Sequence, residues 1–334
     1  MLKKKIPLPF ALLMTFAGII LSGLLAFSYQ KNNNAEPVVD NTVQPCVPDV
    51  KRLSGYQYIR PLLFADRTCE SERLTPVKVE VENIINNLKQ SGTINGASVY
   101  LRRLNQGEYI SMGDADKYYP GSLLKIPELI TFFKMKEKTP GILDEKIAFS
   151  SPLNLPKQVT FVSKSIEVGK TYTIKELLYY MIAYSDNNAT WLLNKRMDMD
   201  VFKKVFTDLG IASPDIKSPD IPITAKEYSY FMRVLYNASY LDVTDSEFCT
   251  ELLSHSDFVI GLVNGLPKGT KVAHKFGEAG DGVNAHLSES GIVYLNNSPY
   301  LLTVMTKGKD NKLLPAAIST ISKKVYEDMS SNYN

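Results

Sequence analysis

Tyr119-Pro120-Gly121-Ser122-Leu123-Leu124-Lys125 constrains this chain more than any other stretch. The Pro-Gly pair breaks the chain. Behind it an apolar run through Ile126, Leu129, Ile130, Phe132 and Phe133 recurs at three- and four-residue spacing, which predicts a helix buried on most of its faces. Ser122 falls at or just inside its first turn, and Lys125 lies one turn on, along the same side. The positive end of the helix dipole and burial both disfavour an ammonium there. The amine can then stand neutral near pH 7 and take a serine proton, which makes the pair a nucleophile and its base. Alone, Ser-x-x-Lys is a weak signal and better describes a capping serine followed by a solvated lysine. The rest of the chain has to decide.

With 334 residues, 44% of them hydrophobic, the chain can bury a large core. A formal net charge of +3, with no basic stripe interleaved with aromatics, argues against a nucleic-acid partner. Lys3, Lys4 and Lys5 precede an uncharged apolar run from Phe10 to Tyr29, long enough to span a bilayer. The lysines place the amino terminus in the cytoplasm and the body of the protein across the membrane. Ala26 and Ser28 form a poor cleavage site, so residues 1–29 read as a signal anchor, with a cleaved signal peptide as the alternative. The expected location is therefore extracytoplasmic, membrane-anchored through this segment or secreted. In such a compartment Cys46 and Cys69 can pair, an assignment the sequence leaves open. Cys249 sits in a helical pattern and reads as a buried core thiol.

Residues 30–49 read as an extended linker, and 51–74 either continue it or pack onto the domain, so the extension as a whole covers 30–74. The main domain is expected at 75–334. Thr75-Pro76 opens a helix, and two strands flank the turn Asn105-Gln106-Gly107. Helices fill the middle, including one that stops at Ser185-Asp186-Asn187 and one capped by Thr224. Three strands (around 271–277, 290–295 and 299–306) and a last helix close the chain. The economical way to bury this order is an α+β fold: one antiparallel sheet flanked by N- and C-terminal helices, with an inserted all-helical subdomain on its other side.

Three motifs then stand in a telling order. Ser122-x-x-Lys125 opens a helix, Ser185-Asp186-Asn187 lies between helices about sixty residues on, and Lys275-Phe276-Gly277 lies on a strand before a hairpin. From about Thr75 to Met329 the chain resembles class A β-lactamases and related penicillin-binding proteins. That resemblance implies Ser122 as nucleophile, forming an acyl-enzyme with a β-lactam or a peptidoglycan stem peptide ending in D-Ala-D-Ala. It implies Lys125 as base or part of the proton relay, Ser185 as proton donor to the leaving nitrogen, and Lys275 as positive charge facing the substrate carboxylate. Asn187 would hold the substrate amide, and the backbone N–H groups of Ser122 and Glu278, beside Gly277, would form the oxyanion hole. No cofactor is implied, and His255, His274 and His286 are not at metal-ligand spacing.

Two departures qualify the expectation. Phe276 stands where the family has a hydroxyl residue, removing one hydrogen bond to the substrate carboxylate. Residues 209–224 hold no glutamate to activate a deacylating water; Asp215 and Asp220 are their only carboxylates and read as turn or cap residues. The expected chemistry is acylation followed by slow deacylation. The alternatives are a non-catalytic cell-wall-binding or scaffold module that keeps the fold, and a slow β-lactamase that uses one of the two aspartates.

Overall fold

Residues 46–151, 153, 159–218, 221–280, 282–296 and 298–333 are described by a computed structural model. The anchor and linker expected before residue 46, and Asp220, lie outside the described residues. Among those described, no helix is long and apolar enough to cross a membrane.

A five-stranded antiparallel sheet organises the domain. Its order is β4 (Tyr109–Met112), β3 (Gly96–Arg103), β9 (Tyr300–Gly308), β8 (Ala285–Val293), β7 (Val272–Ala279), so β7 is an edge. Two-residue alternation gives each strand two buried faces. Val99, Leu101, Leu302 and Val304 point to a core shared with α1 (Thr75–Gln90) and α8 (Leu314–Asn332). Tyr100, Leu301 and Met305 point to a second core under the helical subdomain. That subdomain comprises α2 (Lys125–Lys138), α3 (Ile174–Ala183), α4 (Asn187–Asn194), α5 (Met199–Asp208), α6 (Ala225–Tyr236) and α7 (Val243–Ser254). The α+β architecture expected from the sequence is the one observed, with β7 and β8 running several residues further into their shared hairpin.

Local signals explain where helices begin. Pro76 stands in the first turn of α1, where a missing N–H costs nothing. Thr173 and Thr224 form capping boxes with Glu176 and Glu227, starting α3 and α6. A short ladder between β5 (Lys146–Ala148) and β6 (Thr171–Thr173), extended by the Phe149 and Lys170 backbone, ties together the feet of the excursion between them.

The segment left open at 51–74 packs onto the domain. Strands β1 (Pro48–Arg52) and β2 (Leu62–Arg67) pair as an antiparallel hairpin, and Cys46 is joined to Cys69 across its base. Asp66 on β2 meets Arg102 of β3 at 2.7 Å and Arg233 of α6 at 2.9 Å, all three side chains buried. Cys46–Asn334 forms one compact unit, and Cys249 is buried in its core as expected.

Candidate active site

Glycine decides how closely β7 approaches the nucleophile candidate. Ser122 lies in a 3-10 turn, Gly121–Leu124, that feeds α2, one step before the α-helix expected to hold it. Gly121 adopts φ +51°, and a methyl group there would collide with the backbone carbonyl of Glu278. A methyl on Gly277 would collide with the Pro120 carbonyl and come within 2.5 Å of the Leu123 nitrogen. The edge strand therefore lies flush against the turn that carries Ser122. Gly277→Ala is expected to cost about 1–3 kcal/mol, the usual range for overpacking, and to push the strand off the turn. Urea unfolding measures the first effect. Retention of wild-type stability would show that the contact is loose.

Lys125 is buried at the start of α2. Its Nζ donates to Ser185 O at 2.7 Å, Ser185 Oγ at 3.2 Å and Asn187 Oδ1 at 2.8 Å. None of these acceptors is Ser122, which sits half-buried one turn back. Ser185 offers both its oxygens to one amine because its backbone is left-handed, with φ +53°, a conformation that L residues rarely adopt. Such strain persists where the surroundings over-determine it. Here the next residue, Asp186, N-caps α4 by accepting the Asn188 N–H at 2.9 Å. Lys275 reaches the same place from β7, its Nζ donating to Ser185 Oγ at 2.9 Å and to the Phe276 carbonyl at 2.9 Å. Ser185 Oγ thus lies between two lysines that are 150 residues apart in the chain (275 minus 125).

Burial dominates the electrostatics. It brings the Lys125 ammonium down to about 8, with Glu128 and Asp186 opposing. Lys275 falls well below the usual lysine range, through burial first and the Lys125 charge second. Glu128, one further turn along α2, is pushed up to about 7 by burial, with Lys125 pulling the other way. Its Oε2 is buried without a hydrogen-bond partner among the described residues. The site thus pairs a lysine that loses its proton readily with a carboxyl that gains one readily.

The structure brings Lys125, Ser185, Asn187 and Lys275 into one hydrogen-bonded group, with Gly277 and the Glu278 backbone against the Ser122 turn. Phe276 stacks on Phe258, ring centres 3.9 Å apart, and its own ring lies 4.2 Å from Lys275 Nζ. An aromatic face thus touches the amine where a hydroxyl would otherwise stand. Asp215 accepts the Lys217 N–H at 2.9 Å, which makes it the turn residue it was expected to be. Sequence reasoning passed over Glu128 and the Glu278 side chain. The first was detectable, as a carboxylate at i+3 from Lys125 inside an apolar run. The second was not, because its partners lie 118 and 119 residues away.

Comparison with known proteins bears on the family and the fold. A profile described as the beta-lactamase enzyme family matches residues 77–329. Among solved structures, PBP-A is 21% identical, with TM-score 0.65 over 78% of this chain and 98% of that one. A β-lactamase from Chitinophaga pinensis is 19% identical, with TM-score 0.66 over 75% and 98%. A class A β-lactamase from Mycobacterium abscessus is 17% identical, with TM-score 0.64 over 76% and 100%. A PBP-A mutant in acyl-enzyme complex with penicillin G is 21% identical, with TM-score 0.63 over 77% and 97%. No curated protein matches the sequence.

Proposed function

Because the chain belongs to the beta-lactamase enzyme family, we propose that it is a serine hydrolase acylated at Ser122 by β-lactams or by peptidoglycan stem peptides. The observation that carries this reading is Ser185 Oγ held between Lys125 and Lys275. In its neutral form Lys125 takes the Ser122 proton as Oγ bonds to the carbonyl carbon. The oxyanion forms against the Ser122 and Glu278 backbone N–H groups, held in place by the glycine contacts. Such donors contribute about 3 kcal/mol each to the transition state. As the carbon–nitrogen bond breaks, Ser185 passes its proton to the leaving nitrogen and is resupplied by a neighbouring lysine. Asn187 orients the substrate amide and braces Lys125. The penicillin G acyl-enzyme of the PBP-A mutant supports the same covalent state here.

Water then has to cleave the ester. Within the described part of 209–224, Asp215 is the carboxylate, and it is tied into its own turn. That supports slow deacylation. The apolar run from Phe10 to Tyr29 behind three lysines supports a membrane-tethered protein acting outside the cytoplasm.

Intact-protein mass spectrometry after incubation with a penicillin and with an activated acyl thioester tests the reading. The expected result is a lasting mass increase of one acyl group, mapped to the peptide that contains Ser122. No increase with either reagent would overturn it.

A further inference from the structure

Residues 159–166 are stitched across one side of the site by carboxylates from three places in the fold. Glu278 on β7 accepts the N–H groups of Val159 and Thr160, the latter at 2.8 Å. Asp257, between α7 and β7, accepts the Ser163 hydroxyl. Asp186, beside Ser185, accepts the Ser165 hydroxyl and the Ile166 N–H, both at 2.8 Å. Between the stitches Phe161 sets its ring edge-on to Phe258 and Phe276, at 5.4 and 5.8 Å. The segment is a strap running from the residue after Gly277 to the residue after Ser185.

This arrangement alters what Lys275 can receive. An amine that binds a substrate carboxylate needs a donor to spare and a path for the anion to reach it. Lys275 is fully buried and gives hydrogen bonds to Ser185 Oγ and the Phe276 carbonyl, which leaves at most one N–H, and the Phe276 ring lies against its Nζ. Three acidic side chains hold the strap: Glu278, Asp257 and Asp186. Its one cation, Lys164, turns to the Tyr184 ring, 5.1 Å from the ring centre. Two carboxylates roughly 6–12 Å apart repel by about ten- to a hundredfold at an effective dielectric of about 20, and Lys275 offsets part of that for an anion arriving beside Glu278.

We propose that Glu278 determines specificity, so that the site takes acyl donors whose leaving group is neutral or cationic and discriminates against those ending in a free carboxylate. The inference rests on the acylation of Ser122 proposed above. It points to amidated or internal peptide bonds, and to neutral esters, ahead of free C-terminal acids.

Three thioesters with one acyl group test it, their leaving thiols carrying a carboxylate, a methyl ester or a primary ammonium. Each acylates Ser122 and releases its thiol, so intact mass against time gives the rate. In the wild type, the neutral and cationic donors are expected to react at least about tenfold faster than the anionic one. Glu278→Gln keeps an acceptor oxygen for the strap and is expected to narrow that ratio to about threefold or less. The ratio is the readout, because the Glu278 backbone belongs to the site. An anionic donor that matches or beats the others in the wild type overturns the proposal, as does an unchanged ratio in the variant. If the variant does not fold, the order of the three donors on the wild type decides alone. No adduct from any donor would remove the acyl-enzyme reading and this inference with it.

Discussion

If Lys125 is the base of the proposed reaction, Lys125→Met is expected to slow acylation of Ser122 by about 10²–10⁴-fold, the range in which positioned general bases act. Methionine keeps an unbranched side chain of similar length in a buried slot and removes only the amine. The loss is therefore a test of proton transfer rather than of packing, provided thermal unfolding confirms a folded variant. The wild-type pH profile gives the same information without a mutation. Burial brings Lys125 down to about 8, so the neutral amine, and the acylation rate with it, rises with pH through about 8 and levels above it. An undisturbed lysine would keep the rate rising to about pH 10.4. Stability follows in sign. Between about 8 and the ordinary lysine value the unfolded chain holds the proton that folded Lys125 has lost, so this group's contribution to stability increases with pH across that window. Activity within fivefold of wild type in Lys125→Met would exclude this lysine as the base.

Asp66→Ala is the most damaging change expected away from the site, with a loss of about 3–5 kcal/mol. That is the cost of leaving buried charge without its partner. Two guanidiniums depend on this one carboxylate, and Arg233 is only 1% exposed. Burial pushes the Asp66 carboxyl up, but the charges of Arg233 and Arg102 outweigh it and hold it below the ordinary aspartate range. Its contribution is therefore complete above the unfolded value and disappears only as the pH falls through the lower folded one. Urea unfolding at neutral pH measures the loss. A cost below about 1 kcal/mol would mean that the Cys46–Cys69 bridge and the Phe64 contact with Arg233, 4.2 Å from guanidinium to ring centre, hold the hairpin without the ion triad.

Asp66 also shows why the amino-terminal hairpin was ambiguous in the sequence. Its partners are Arg102, 36 residues on, and Arg233, 167 residues on. No local pattern reports a pairing at that distance. The strands it belongs to are short and half exposed, so their apolar alternation is weak. By contrast, the apolar spacing after Ser122 and the hairpin around Asn105-Gln106-Gly107 depend on residues within a few positions of each other, and both were legible.

The site divides along the same line. The sequence by itself determined the residue types and their order: a serine and a lysine one turn apart, a Ser-Asp-Asn turn between helices, and a lysine and a glycine two apart on a strand. Those are matters of local periodicity, which short-range sterics and hydrogen bonding enforce. Only the tertiary structure decided that both lysines converge on Ser185 Oγ, that Phe276 covers the Lys275 amine, and that the Glu278 side chain holds a strap beside the cleft. Each of these depends on contacts between segments far apart in the chain. Their geometry follows from how closely backbones can approach, here set by hydrogen atoms in place of side chains at Gly121 and Gly277, and that distance is not written in any one stretch of sequence.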